Sequence, residues 1–94
     1  MSKIFAVEYH YVTDKDDEMA VVRPSHRAFN GELAKEDRLL AAGPYVGTHD
    51  ALIIVRAEDA EGALALLDDD PFHKNGFIAE RIPHEYNPVI GILK

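Results

Sequence analysis

Two residues far apart in the chain have the types and settings from which proton-transfer chemistry is built. His26 follows Arg23-Pro24-Ser25 at the opening of an apolar-periodic stretch, and Asp70 closes the run Asp68-Asp69-Asp70 just before Pro71 and Phe72. Proline cannot continue a helix and drives the preceding residue towards extended backbone, so Asp70 leaves its helix with the carboxylate held by a turn. Three adjacent carboxylates repel one another when desolvated, and Pro71 makes Asp70 the one expected to point inward. If the fold joins the two, Asp70 holds one imidazole nitrogen of His26 and leaves the other to take or give a proton. Arg23, one turn before His26, suits a carboxylate or enolate oxygen of a substrate. Tyr9, Tyr45 and Phe72 are candidate aromatic walls of a substrate pocket.

Each residue also has a plainer explanation. A helix histidine is commonly half-buried and satisfied by a backbone carbonyl, and Asp-Pro terminates helices without any chemistry. Arg23 could pair with the acidic turn Asp14 to Glu18, and aromatics at strand and turn positions are often plain core. Other chemistries lack support. The five histidines, His10, His26, His49, His73 and His84, show no His-x-x-x-His or Glu-x-x-His spacing, so no metal is expected. No cofactor is expected either: Gly43-Pro44-Tyr45 reads as a turn and not a phosphate cradle. Ser2 and Ser25 have no nucleophile-elbow context, and the absence of cysteine removes thiolate and disulfide chemistry.

The elements that must position His26 and Asp70 follow from periodicity. Lys3 to Val12 alternates, with Phe5, Val7, Tyr9 and Tyr11 against Ile4, Ala6, Glu8 and His10, and reads as a strand. Asp14 to Glu18 reads as a charged turn. Pro24 sits where a helix tolerates it, in the first turn, and the apolar spacing predicts a helix from about Pro24 to Glu36, with a preceding helical turn over Met19 to Val22 left open. Leu39 to Ala42 and Ala51 to Arg56 read as buried strands joined by turn residues Gly47 to Asp50. Glu58 and Asp59 place negative charge at the start of a helix that ends at Asp68 to Phe72. Phe77 to Ile82 is a fourth strand that Pro83 limits or marks as an edge. Val89 to Leu93 is an apolar tail, expected to add a short strand or to cover a partner.

The order β-α-β-β-α-β is the ferredoxin-like, split βαβ plan of the α+β class, with an antiparallel sheet and both helices on one face. The 94 residues are expected to form a single domain. Its small size, apolar tail and uncovered sheet face point to a homodimer. A net charge of −7 argues against nucleic acid, since the basic residues are scattered among acidic ones. No apolar run is long enough for a signal sequence or a membrane span, so a soluble, unprocessed, cytoplasmic protein is expected.

Val22-Arg23-Pro24-Ser25-His26, Arg38-Leu39-Leu40-Ala41-Ala42-Gly43-Pro44 and Asp70-Pro71-Phe72 followed by Gly76 occur in an order and spacing that resembles the YCII-related family. The resemblance covers most of the chain. It implies a ferredoxin-like domain forming a dimeric α+β barrel, with an active site carried over onto His26 and Asp70. A dechlorinating branch of that family acts on a hydroxylated aromatic ring, and muconolactone isomerases use a similar barrel. The connection Pro44 to Asp50 is short here, and Asn87 to Lys94 carries no clear family motif.

Two functions are then in view. One is a small lyase- or isomerase-like enzyme in which His26, oriented by Asp70, moves a proton on a small hydroxylated, lactone or enolisable substrate while Arg23 steadies negative charge. The other is a non-catalytic dimeric module that binds a small ligand or serves as an accessory subunit.

Overall fold

The computed structural model describes residues 2–93. Its elements are β1 (Lys3–Tyr11), α1 (Asp16–Lys35), β2 (Leu39–Pro44), β3 (Asp50–Ala57), α2 (Ala60–Leu67), α3 (Pro71–Lys74) and β4 (Ile78–Tyr86). The strands form one antiparallel sheet in the order β2-β3-β1-β4, the ferredoxin-like arrangement. No described helix is long and apolar enough to cross a membrane.

Alternation along the strands decides where the core lies. Phe5, Val7 and Tyr9 of β1 and Ala51, Ile53 and Val55 of β3 are buried beneath the helices, where Leu33 of α1 and Ala63 and Leu67 of α2 meet them. The residues between them face the other way. There Glu8 pairs across to Leu52 and Ile82, Ala6 to Ile54 and His84, and His10 to Asp50 and Glu80. This helix-free face has apolar members, Ala6, Leu52, Ile54 and Ile82, bordered by titratable ones. Pro83 lies on the edge strand β4, where its missing N–H leaves no inner ladder bond unmade.

Four expectations are corrected. The first helix begins at Asp16, so Asp14 to Glu18 is only partly a turn and Pro24 lies inside the helix. The cause is at its start: Asp16, Asp17 and Glu18 lie at the positive end of the helix dipole, and buried Met19 anchors that turn against Phe72 and Phe77. Pro24 cannot donate to the carbonyl of Ala20, but Ala20 is exposed and water can serve that oxygen. The strand β2 is not buried on both faces; it is an edge strand, exposed from Ala41 to Pro44. Asp70 is followed at once by a one-turn helix, α3, that was not anticipated. No extra C-terminal strand forms: residues 87–93 run as coil, bend and turn, with Val89, Ile90 and Ile92 exposed. Pro88 supplies no N–H for a ladder, and Gly91 adopts a positive φ of 108°, both incompatible with regular strand pairing.

On the helix-free face the half-exposed His10 donates from Nδ1 to Asp50 Oδ1 at 2.8 Å, and its Nε2 stands 3.6 Å from Glu8. The Asp50 hydrogen bond, opposed by desolvation and helped by the negative charge of Asp50, Glu80 and Glu8, raises the His10 pKa above its ordinary value. A group whose pKa rises on folding favours the folded state when protonated. Its contribution is complete below the unfolded value near 6.5 and is lost as pH climbs through the higher folded value. The melting temperature of the wild type minus that of His10→Gln is therefore expected to shrink between about pH 6 and about pH 8. A difference that grows over that interval contradicts the assignment.

Candidate functional site

Asp70 has φ −58° and ψ 125°, the extended geometry that Pro71 imposes, and acts as N-cap of α3. Its Oδ1 accepts from the Phe72 backbone N–H at 2.9 Å. The side chain is fully buried, and a buried carboxylate must be matched by donors. His26 supplies the other one: its Nδ1 donates to Oδ1 at 2.8 Å and to Oδ2 at 2.9 Å. Because the carboxylate only accepts, Nδ1 carries the proton and Nε2 of the neutral ring bears the lone pair. Asp68 and Asp69 stay exposed and pair with Arg81 and Lys74.

Packing holds the juxtaposition in place. The Phe72 ring stacks on the His26 imidazole, centroids 3.9 Å apart and planes 5° from parallel. Tyr11 and Phe77 meet Phe72 edge-on at 5.7 Å and 5.8 Å. With Met19 these rings form a small second core that ties α3 to the first half of α1. A ring lying flat on the imidazole leaves its edge atoms accessible while fixing its plane.

Two cavities meet at this ring. One, of about 480 Å³, runs between α1 and the β2 edge and is lined by His26, Asn30, Tyr11 and an apolar wall including Leu39, Pro44 and Ile53. The other, of about 500 Å³, reaches towards the start of α1 past Arg23, Phe72, Asp16 and His49. Tyr11, His26, Arg27 and Pro44 line both, so they are lobes of one cleft.

The candidates are distributed unevenly. His26, Asp70, Arg23 and Phe72 gather at or beneath this cleft. Arg23 makes no ion pair with Asp14 to Glu18 among the described residues, and Asp16 of that stretch is near His49, at 3.4 Å. Tyr9 is not a pocket wall. It is fully buried in the main core; its hydroxyl lies near Arg81 without a hydrogen bond of good geometry, and burial pushes the phenol far above its ordinary range. Tyr45 sits half-exposed beyond the end of β2 and lines neither lobe.

Three cleft residues escaped the sequence reading. Tyr11 is the last inward position of the β1 alternation, where the main core gives out. Burial, reinforced by the Asp70 charge and opposed by Arg23, pushes its pKa up to about 12, so its hydroxyl remains a donor at neutral pH. Asn30 is nine-tenths buried, its Nδ2 donating to His26 Nε2 over a long 3.4 Å, and its Oδ1 has no partner. Arg27 lines both lobes. Helical spacing was the available signal: Asn30 follows His26, and Arg27 follows Arg23, by four residues. Among the described residues, no group of three or more His, Cys, Asp or Glu side chains is placed to hold a metal ion.

The chain belongs to the YCII-related family, whose domain model matches residues 4–86. No curated protein matches its sequence. Among solved structures it is similar to 5-chloro-2-hydroxyhydroquinone dehydrochlorinase from Burkholderia phenoliruptrix AC1100, determined in complex with 2,5-dihydroxybenzoquinone. That similarity has a TM-score of 0.77 at 18% identity, over 89% of this chain and 93% of the other. It is also similar to a NIPSNAP family protein from Agrobacterium tumefaciens str. C58, with a TM-score of 0.59 at 11% identity, over 95% and 94% of the two chains. At these identities the likeness is one of fold.

Replacing Asp70 by Asn separates charge from capping, since an amide oxygen still accepts from Phe72 N–H. In Asp70→Asn the neutral His26 ring is expected to lose its bias towards the Nδ1–H tautomer, read from its ¹⁵N shifts, and stability to fall by about 1–3 kcal/mol. An unchanged tautomer would show that Asp70 does not orient the ring.

Proposed function

We propose that this protein is a small-molecule enzyme of proton-transfer type, with His26 as general base and acid and Asp70 as the group that orients it. The observation that carries this reading is the fully buried Asp70 carboxylate bound to His26 Nδ1 at 2.8 Å, with the same imidazole lining both lobes of a cleft. A buried acceptor on one nitrogen fixes the tautomer that leaves a lone pair on the other.

In the proposed step, a hydroxyl or an acidic C–H of the ligand takes the place of the Asn30 amide at Nε2. The proton moves to Nε2, and the electron pair left behind delocalises into the substrate or expels a leaving group. The resulting imidazolium is held between the Asp70 carboxylate and the face of Phe72, a carboxylate and an aromatic quadrupole that both favour positive charge. Tyr11, protonated at neutral pH, and Arg23 supply a donor and a positive charge for developing negative charge on oxygen. Elimination, isomerisation and lyase reactions share this transfer. A small hydroxylated or lactone substrate fits the size of the cleft, and dehydrochlorination by a structural neighbour lends weight to an elimination.

One observation favours a non-catalytic, ligand-binding role instead: Asn30 already partners Nε2. Turnover separates the two. Screening hydroxyquinones and unsaturated lactones is expected to find a substrate, on which His26→Gln lowers kcat/KM by about 10²- to 10⁴-fold. Full activity in that variant removes His26 from the chemistry.

A homodimer belongs to the same proposal. The helix-free face carries half-buried Ile54, Leu52 and Ile82, an apolar surface suited to a second copy, and Ile90 and Ile92 are bare in the segment that follows β4. Sedimentation equilibrium is expected to give twice the chain mass, and Ile54→Lys to give the monomer. A wild-type monomer at micromolar concentration would refute the pairing.

A further inference from the structure

The arginines of this chain fall into two groups. Arg38, Arg56 and Arg81 each face a carboxylate, on Glu36, Asp37 and Asp68 respectively. Arg23 and Arg27 face none among the described residues, although the chain carries a net charge of −7. They stand four residues apart on α1, where like charges repel, and both line the lobe that leads away from His26. The one acidic side chain in that lobe, Asp16, is engaged by His49 at 3.4 Å. Two neighbouring guanidiniums without counter-charge at the mouth of a cleft are an arrangement an anionic ligand completes, since each presents a planar fork that matches a carboxylate.

The opposite lobe makes a different demand. It is walled by apolar residues of β2 and β3 and has no acidic or basic group beyond Arg27 and His26 at its junction with the first. Among its lining residues is Asn30, whose Oδ1 is buried and without a donor; a turn of that amide towards the lobe lets a hydroxyl or N–H of a ligand satisfy it. Along α1 the order is Arg23, His26, Arg27, Asn30, one stripe at helical spacing. From Arg23 to Asn30 the helix rises about 10 Å, a span that one substituted ring bridges once the reach of the side chains is subtracted.

We propose that the cleft takes a small planar organic acid: its carboxylate is clamped by Arg23 and Arg27, its ring lies in the apolar lobe with a hydroxyl donated to Asn30 Oδ1, and its middle rests against His26. This substrate class rests on the proton-transfer reading of His26, and it adds what that reading lacks, namely which end of the ligand is charged and which residue reads the neutral end.

Matched one-ring probes test it. In calorimetric titrations, 4-hydroxybenzoate is expected to bind at least about tenfold more tightly than hydroquinone, which has the ring and hydroxyl without the acid. Arg27→Gln, at an exposed position that the fold does not depend on, is expected to lose about tenfold for 4-hydroxybenzoate and to leave hydroquinone within about twofold. Asn30→Leu is expected to weaken 4-hydroxybenzoate and spare benzoate. Equal wild-type affinities for the acid and hydroquinone, indifference to Arg27→Gln, or no binding of 4-hydroxybenzoate at millimolar concentration would each overturn the clamp. The two readings fail separately. Hydroquinone binding as tightly as the acid, with the His26 tautomer still dependent on Asp70, removes the clamp alone; an acid held by Arg27 in a protein whose His26→Gln variant keeps full turnover removes the proton transfer alone.

Discussion

A carboxylate sealed from water is the constraint around which this molecule is arranged. Asp70 has no solvent of its own, so its charge is stable only where donors are fixed at hydrogen-bond distance. One donor is local, the Phe72 N–H of the turn that Asp70 itself caps. The other is on a helix 44 residues earlier in the chain, and it reaches Asp70 only if α3 is docked against α1. Met19, Phe72 and Phe77 do that docking, which explains why a second, small core exists apart from the main one beneath the sheet.

The same contacts determine which side of α1 faces the cleft. Once the His26 ring is pinned between Asp70 and Phe72, residues one turn either side of it follow by helical geometry: Arg23 towards one lobe, Asn30 into the other. The β2 edge, which joins the core at Leu39 and is exposed from Ala41 to Pro44, supplies the apolar wall opposite. Cleft and helix-free face therefore lie on opposite sides of one sheet. Alternation along β1 separates them: Tyr11 serves the cleft while its neighbour His10 pairs with Asp50 on the other face.

Particular residues show how much of this was legible beforehand. The period-two run Phe5, Val7, Tyr9 and the compact apolar segment Ala51 to Val55 located β1 and β3, and the turn and capping residues between elements gave the βαββαβ order. Family membership followed from short motifs in that frame. Pro24 misplaced the start of α1, because a proline rule describes local cost and the docking of Met19 outweighed it. Tyr9 and Tyr11 have the same parity and chemistry, and only the extent of the overlying core separates a buried structural tyrosine from a cleft donor. The apolar tail suggested a strand, yet Pro88 and Gly91 oppose ladder pairing.

The linear chain by itself determined the elements, their order, the class of fold and the conformation of Asp70, because periodicity, proline geometry and turn chemistry act between residues near in sequence. What only the tertiary structure decided is every relation across elements: that His26 Nδ1 meets Asp70, that Asn30 keeps an unpartnered oxygen, and that Arg23 and Arg27 share a cleft without a carboxylate between them. The physical reason is that hydrogen bonding, burial and charge pairing depend on distance in space, and residues dozens of positions apart acquire that distance only when the sheet and the two cores close together.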